Sequence, residues 1–583
     1  MNKFTARHTA LSIIFFFSLL LFLKLDSGEI QPWDEGLYAI RAEAVNKYKA
    51  VWDQTNYSAG GLYSSTYPPL TVWIMAFNMK FMGERILAVR IFSAICGSLS
   101  FILIYLLARR LLNNDLSLLA IISLAVTTSW NYYSRQGMTD IPLMMFILLS
   151  LWILIKLLES KKSVCLILWS VLLGVSLGSG LMTKIILSFI PFGFIILAFL
   201  NNNFRKYRLP LFFAMLVAIS IALPWHIYMI KLHGAEFYKA FYAPHIYSSV
   251  ENNSASIGLL YYFNQLIISN PFIILTFSFI FIIIKRALKP QYIKVDISEM
   301  KYNQKPITKF LEEVLMLWFG FGFVIFSISL TKLPHYSLYL IPPALLLAGI
   351  FIRKFDSKIV SDKSKWIIFS ALILSLLWSM NYDLRQGLKD LFLLKGFYFD
   401  SMFFVLLTIT LLWVGWQFKS DILEKILNTF SKKVIFSILV ILVVRLVINN
   451  SLFPPGNTFG GATAADLIKK YNKNKFAYMY HKHNQSDSLN PQLAWYTDNW
   501  LIGKKKGHSV INISLPKNTI DFKTLYSSDT LSNMLLIYQI PKNFALSHSI
   551  VNELSQVRPI IRFTSDYVIF GAIRYIRKSG KPV

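Results

Sequence analysis

LSIIFFFSLLLFLKLDSGEIQPWDEGLYAIRAEAV, residues 11–45, passes from an apolar run into an acidic pair, Asp34-Glu35, that opens a helix-like segment. A helix needs about 20 apolar residues to cross the hydrocarbon core, and a first span near 8–25 satisfies this. Carboxylates at the lip of a membrane span mark a candidate site, because a charge there is costly unless it has work to do. Lys3 and Arg7 ahead of the run would also suit a cleaved signal peptide. LKLDSGE (23–29) lacks a small-x-small cleavage site and more spans follow, so an uncleaved first helix is expected.

Working outward, apolar runs recur near 86–108, 115–133, 138–158, 163–183, 185–200, 209–230, 258–284, 311–330, 336–352, 365–380, 399–418 and 433–449. The expected fold is mainly α: a polytopic helical membrane domain of about 13 spans over residues 1–450, with a long first outer loop at 26–84. Within that loop, PPLTVWIMAFNMKFM (68–82) is apolar and reads as interfacial. GLYAIRAEAVNKY (36–48) spaces Leu37, Ile40, Ala44 and Val45 as a helix lying at an interface would. Hydrophobic residues make up 55% of the chain and charged ones only 15%, which sets the class as integral membrane protein.

The net charge of +29 raises nucleic acid as a partner, yet the basic residues fall in short clusters between apolar runs instead of on one face or tail. Arg109-Arg110, Lys161-Lys162, Arg205-Lys206 with Arg208, Lys285-Arg286 with Lys289 and Lys294, Arg353-Lys354 and Lys432-Lys433 occupy alternate loops. By the positive-inside rule those loops are cytoplasmic, the amino terminus is inside, and the loops carrying Asp34, Glu35, Asp140, Glu236 and Glu251 are outside. The expected location is a bacterial-type inner membrane. Residues 451–583 change character after Pro454-Pro455-Gly456: KFAYMYHK, HSVINISL, SNMLLIYQI and DYVIFGAIRYI alternate with helix-competent segments, predicting a soluble extracytoplasmic α/β domain. The two cysteines, Cys96 and Cys165, lie in apolar runs and are too few for a disulfide framework.

The ionisable residues that the topology turns outward are the candidates for chemistry. Asp34 reads either as a helix cap or as a site carboxylate; Asp140, before Pro142, reads as a cap or as a second site carboxylate, with Arg135 five residues earlier able to hold a carboxylate or take a phosphate. Lys184 in GLMTKII is either a snorkelling side chain or an anion ligand. Lys332, His335 and Tyr336 surround the helix-breaking Pro334 in KLPHY, a polar knot suited to a phosphate-bearing lipid head. His226, His233 and His245 share PWHIYMIKLHGAEFYKAFYAPHIY, but their separations match no common zinc signature, and no nucleotide-binding glycine loop is visible. No metal or cofactor is expected.

Taken in order, Asp34-Glu35, YPPL (67–70), Arg135 with Asp140, MTK (182–184), LPWHIY (223–228) and KLPHY (332–336) resemble the C-type membrane glycosyltransferases. The branch is the one that bacterial lipid A aminoarabinose transferases share with protein O-mannosyltransferases, and the resemblance runs over roughly 8–350. It implies transfer of a sugar from a polyprenyl-phosphate donor on the extracytoplasmic face. It also implies Asp34 as base for the acceptor hydroxyl and Asp140 as support for the acceptor or the site geometry; Glu35 joins them in the expected catalytic group, to orient Asp34, bind acceptor or only begin the helix. Arg135, Lys184, Lys332, His335 and Tyr336 are the expected donor-phosphate ligands; Tyr67, His226 and His245 are candidates to line the donor or acceptor path. The aminoarabinose branch often carries Lys where this chain has Tyr67, which puts a charged phosphate contact from that position in doubt.

The donor that the resemblance implies, an activated lipid-phosphate sugar, needs a base for the incoming hydroxyl and cations for the departing phosphate. One carboxylate on the acceptor side fits a single displacement with inversion. The expected acceptor is a glycolipid or lipid A-like molecule, with a secreted-protein Ser or Thr as the alternative. A transporter or flippase would gather its charges at mid-span on broken helices, where this chain has them at span ends.

Overall fold

The computed structural model describes residues 3–31, 34–58, 61–242, 260–288, 306–329 and 332–355, short stretches within 368–379 and 438–447, five strands between 475 and 570, and a few single positions. The expected span at 399–418 and the candidate His245 lie outside the described residues.

Helix α1 (Lys3–Phe22) is followed by the first outer loop, which holds α2 (Asp34–Tyr48), the one-turn α3 (Leu62–Ser65) and α4 (Leu70–Met82). Then come α5 (Ile86–Leu111), α6 (Asn114–Ala125), α7 (Thr128–Ser134), α8 (Asp140–Glu159), α9 (Ser163–Leu181), α10 (Ile190–Leu200), α11 (Arg208–His233) and α12 (Ala235–Tyr242). The last described helices of this part are α13 (Tyr261–Ser269), α14 (Ile274–Leu288), α15 (Pro306–Ile328) and α16 (Ile341–Phe355). Five described helices are long and apolar enough to cross a membrane alone: α5, α8, α9, α15, and α11 together with its 3-10 start from Asn202.

Several expected spans are broken, and the breaks have local causes. The stretch 115–133 splits at Val126-Thr127, and 258–284 splits at Asn270. The two breaks meet: the Asn270 amide donates to the Ser123 carbonyl (2.8 Å) and Thr127 Oγ1 (2.9 Å), while its Oδ1 accepts from Phe272 N–H. One buried asparagine thus ties the two breaks together and bonds their backbone in an apolar setting. At 334–339 the chain is 3-10, entered at Pro334.

Helix α2 departs from its expected setting. From Glu35 to Ala44 every residue is buried, including Arg41 and Glu43, so it is enclosed by protein and is no surface amphipathic helix. Apolar spacing alone could not reveal this, because its charged residues find internal partners: Glu35 meets Arg90, Glu43 meets Lys47, and Arg41 Nη2 donates to Gln54 Oε1 (3.1 Å) and the Tyr67 carbonyl (2.8 Å).

Helices α9 and α11 cross closely on small residues. A Cβ at Gly174 would lie 2.6 Å from the Ala214 carbonyl oxygen and 2.5 Å from Val217 Cβ, and one at Gly178 would lie 2.8 Å from Ile221 Cβ. Gly174-x-x-x-Gly178 is the small-residue spacing by which membrane helices bring their backbones together. The opposite face of α11 turns Leu209, Phe212, Leu216, Ile219 and Leu223 outward, as contact with lipid requires.

Strands β1 (Lys475–His481), β2 (Ser509–Leu515), β3 (Leu535–Gln539), β4 (Ile560–Phe563) and β5 (Tyr567–Phe570) form one sheet in the order β2-β1-β3-β5-β4. β1 pairs in parallel with β2 and β3, and β5 runs antiparallel to β3 and β4. All four strand-like segments read from the sequence carry a strand here, DYVIFGAIRYI contributing Tyr567–Phe570.

Candidate active site

Asp140 heads α8 and is 1% exposed. Its Oδ1 accepts from Lys184 Nζ at 2.9 Å and from the Tyr339 hydroxyl at 2.8 Å. Lys184 follows the end of α9, and because α8 and α9 are consecutive antiparallel helices, the start of one and the end of the other share a membrane face. The Lys184 ammonium also lies 5.5 Å from the Tyr336 ring centroid, within cation–π range. Burial works against that charge, but Asp140 outweighs it and holds the Lys184 pKa above the ordinary lysine range.

His335 is buried, edge-on to Tyr133 (6.0 Å between ring centroids) and to Tyr336 (4.8 Å). Burial pushes it below the usual histidine range; Lys184 adds to this, while Asp140 and Asp34 pull the other way. It is therefore neutral at neutral pH. Asp34 and Asp140 both act on His335, so the first-loop carboxylate and Asp140 share that imidazole as an electrostatic neighbour. Asp34 itself, at the first position of α2, is exposed.

The first outer loop is tied onto this cluster by its backbone. Leu70 N–H donates to the Met182 carbonyl (3.0 Å), joining YPPL to MTK. Tyr67 stands edge-on to Tyr38 at 6.3 Å, and the Tyr38 hydroxyl is 3.4 Å from Thr139 Oγ1, one residue before Asp140. Burial raises the Tyr67 hydroxyl pKa, and Lys184 acts on it in the opposite sense, so Tyr67 faces the same charges. Burial also pushes the Arg41 guanidinium beneath Tyr67 down to about 10, which leaves it charged at neutral pH. Trp73 Nε1 donates to the Val51 carbonyl and Trp225 Nε1 to the Trp52 carbonyl (2.9 Å), and an apolar cavity of about 320 Å³ opens between these tryptophans, Leu70 and Met182.

Of the residues singled out in the sequence, the fold gathers Asp34, Asp140, Lys184, His335, Tyr336 and Tyr67 at one end of the spans. Others are placed differently. Arg135 is buried, donates from Nη2 to the Leu23 carbonyl at 2.6 Å, and is pushed down to about 10 by burial and by Arg90. Lys332 donates to the Ser327 and Ser329 carbonyls (both 2.7 Å), closing the end of α15. His226 Nδ1 meets the Ala222 carbonyl of its own helix at 2.8 Å, and His233 pairs with Asp53 at 3.2 Å. Glu35 is wholly buried against Arg90. Among the described residues no three His, Cys, Asp or Glu side chains gather as metal ligands would.

Tyr339 and Arg90 were not singled out. Tyr339 lies 199 positions from Asp140 in the chain, and nothing local marks it. Arg90 carried a signal: an arginine inside ILAVRIFSAICGSL, an otherwise apolar run, is costly unless paired.

Spanning helices, an enclosed α2 in the first outer loop and charges gathered at the span ends give the chain a polytopic helical fold like that of solved C-type membrane glycosyltransferases. Residues 66–228 match the dolichyl-phosphate-mannose-protein mannosyltransferase family. The chain is similar to an uncharacterised protein of Aquifex aeolicus, 26% identical over 53% of this chain and 58% of that one. It is also similar to an undecaprenyl phosphate-alpha-4-amino-4-deoxy-L-arabinose arabinosyl transferase of Pseudomonas fluorescens, 26% identical over 58% of this chain and 56% of the relative. The match thus spans under two thirds of these relatives' length. In three dimensions the chain resembles ArnT from Cupriavidus metallidurans bound to undecaprenyl phosphate, with a TM-score of 0.60, 15% identity and 98% of both chains covered.

Proposed function

We propose that the protein is an inverting glycosyltransferase that moves a sugar from a polyprenyl-phosphate donor to a glycolipid or lipid A-like acceptor on the extracytoplasmic face of a bacterial-type inner membrane. The observation that carries this reading is the buried Asp140–Lys184–Tyr339 cluster, with His335 an electrostatic neighbour of both Asp140 and the exposed carboxylate Asp34. In this scheme Asp34 takes the proton from the acceptor hydroxyl as its oxygen bonds the anomeric carbon. The bond from that carbon to the phosphate oxygen breaks, its electron pair leaves with the phosphate, and Lys184 balances the resulting charge. Asp140 keeps Lys184 charged and aimed, Tyr67 supplies a neutral hydrogen-bond donor where relatives place a cation, and no cofactor is called for.

The topology belongs to the same proposal: about 13 spans over residues 1–450, the amino terminus in the cytoplasm, and 451–583 as an extracytoplasmic α/β domain. Three parallel strands support the last point, since parallel neighbours need crossovers of a dozen or more residues. The match of 66–228 to a protein mannosyltransferase family favours a secreted-protein Ser or Thr as the second acceptor class.

The test is transfer in vitro from a panel of polyprenyl-phosphate sugars, comparing wild type with Asp34→Asn. Loss of a positioned base should lower kcat by about 10²–10⁴-fold, and the product should carry inverted configuration. Full activity of Asp34→Asn, or a retained anomer, refutes the scheme.

A further inference from the structure

We propose that Arg90 is a positioning residue of the transfer reaction, clasping Glu35 so that the segments carrying Asp34 and Asp140 are held at a set separation; this rests on the reading of Asp34 as base. Both side chains are fully enclosed. Arg90 Nε and Nη2 donate to the two Glu35 oxygens at 2.7 and 3.0 Å. The rest of the guanidinium gathers the chain that leaves α1: Nη1 donates to the Leu25 (3.3 Å) and Ser27 (2.9 Å) carbonyls, and Nη2 to that of Glu29 (2.7 Å). Glu35 takes two further bonds, Oε2 from Gln31 N–H and Oε1 from Gly137 N–H, each 2.7 Å.

Five guanidinium N–H groups and four carboxylate acceptor positions are the full capacity of the two groups. Both are used, so Glu35 has no free position for a substrate. It acts instead through its chain neighbour Asp34 and through Gly137, three residues before Asp140. A saturated, enclosed polar network rigidifies what it joins. The third limb depends on close approach: a Cβ at Gly137 would lie 2.3 Å from Val89 Cγ1 and 2.9 Å from the Val89 carbonyl oxygen, one residue before Arg90. Gly137→Ala therefore loosens the clasp without removing either charge.

The experiment uses the full chain in nanodiscs with Arg90→Lys, Glu35→Gln, Gly137→Ala and Asp34→Asn, each scaled to its folded fraction. Three readouts are needed: kcat and donor KM, undecaprenyl-phosphate affinity by tryptophan fluorescence, and hydrogen exchange of 34–48 and 135–141. A misplaced base predicts kcat about ten- to a hundred-fold lower for the three clasp variants, with donor KM and undecaprenyl-phosphate affinity within about three-fold of wild type. Exchange should rise in both segments together. Wild-type kcat per folded molecule, or exchange that rises in one segment only, overturns the clasp. Should Asp34→Asn keep full activity, or wild type transfer no sugar, the base assignment fails, and the paired exchange response then decides the clasp alone.

Discussion

Lys184 is the residue on which the charge balance of the site turns. It is the one cation bonded to Asp140, whose 1% exposed carboxylate otherwise has only the Tyr339 hydroxyl on the same oxygen among its described bonds. Lys184→Met should therefore cost about 3–5 kcal/mol, because it strands a buried charge, and thermal unfolding in detergent measures this. The double variant Asp140→Asn with Lys184→Met should regain much of the stability and none of the activity. His335 makes a separate prediction. Its folded pKa lies below the unfolded value of about 6.5, so below that pH the unfolded chain binds a proton that the folded chain refuses, and stability falls as pH drops through that value. The melting temperature of wild type should fall more between pH 7.5 and 5.5 than that of His335→Gln.

At the scale of elements, the α9–α11 crossing decides whether the tryptophan-lined cavity and the MTK turn keep their places. The backbone atom nearest Gly174 belongs to Ala214, so a side chain there has no flexible neighbour to displace. Gly174→Ala is expected to destabilise by about 1–3 kcal/mol through overpacking, and Gly193→Ala, with open space around it, by far less. Comparing the two melting temperatures tests the contact. The Gly-x-x-x-Gly spacing is local to α9, whereas its partner helix is set by the packing. Helix α2 teaches a related lesson: its start at Asp34 was legible from the acidic pair, yet its enclosure was not, since Glu35 and Arg41 find their partners in Arg90, Gln54 and Tyr67, outside the helix.

For the whole molecule, the proposed orientation puts Arg85, just before α5, outside and Lys161, between α8 and α9, inside. With Cys96 and Cys165 replaced by Ser, a membrane-impermeant thiol reagent added to intact cells should label Arg85→Cys and spare Lys161→Cys; the reverse pattern inverts the topology. By itself the sequence determined the membrane class, the first helix, the start of α2, four of the five described strands of 475–570 and the carboxylates and lysine worth watching. Those features are local, set by the length of apolar runs, by residues that start or break helices, and by the cost of charge near lipid. Tertiary structure alone decided that Lys184 serves Asp140, that Lys332 and Arg135 spend donors on backbone carbonyls, that Tyr339 completes the cluster and that Glu35 belongs to Arg90. Each of these is a pairing between groups far apart in the chain, and a buried charge takes whichever partner the packed helices bring within about 3 Å, a distance that residue spacing along the sequence does not encode.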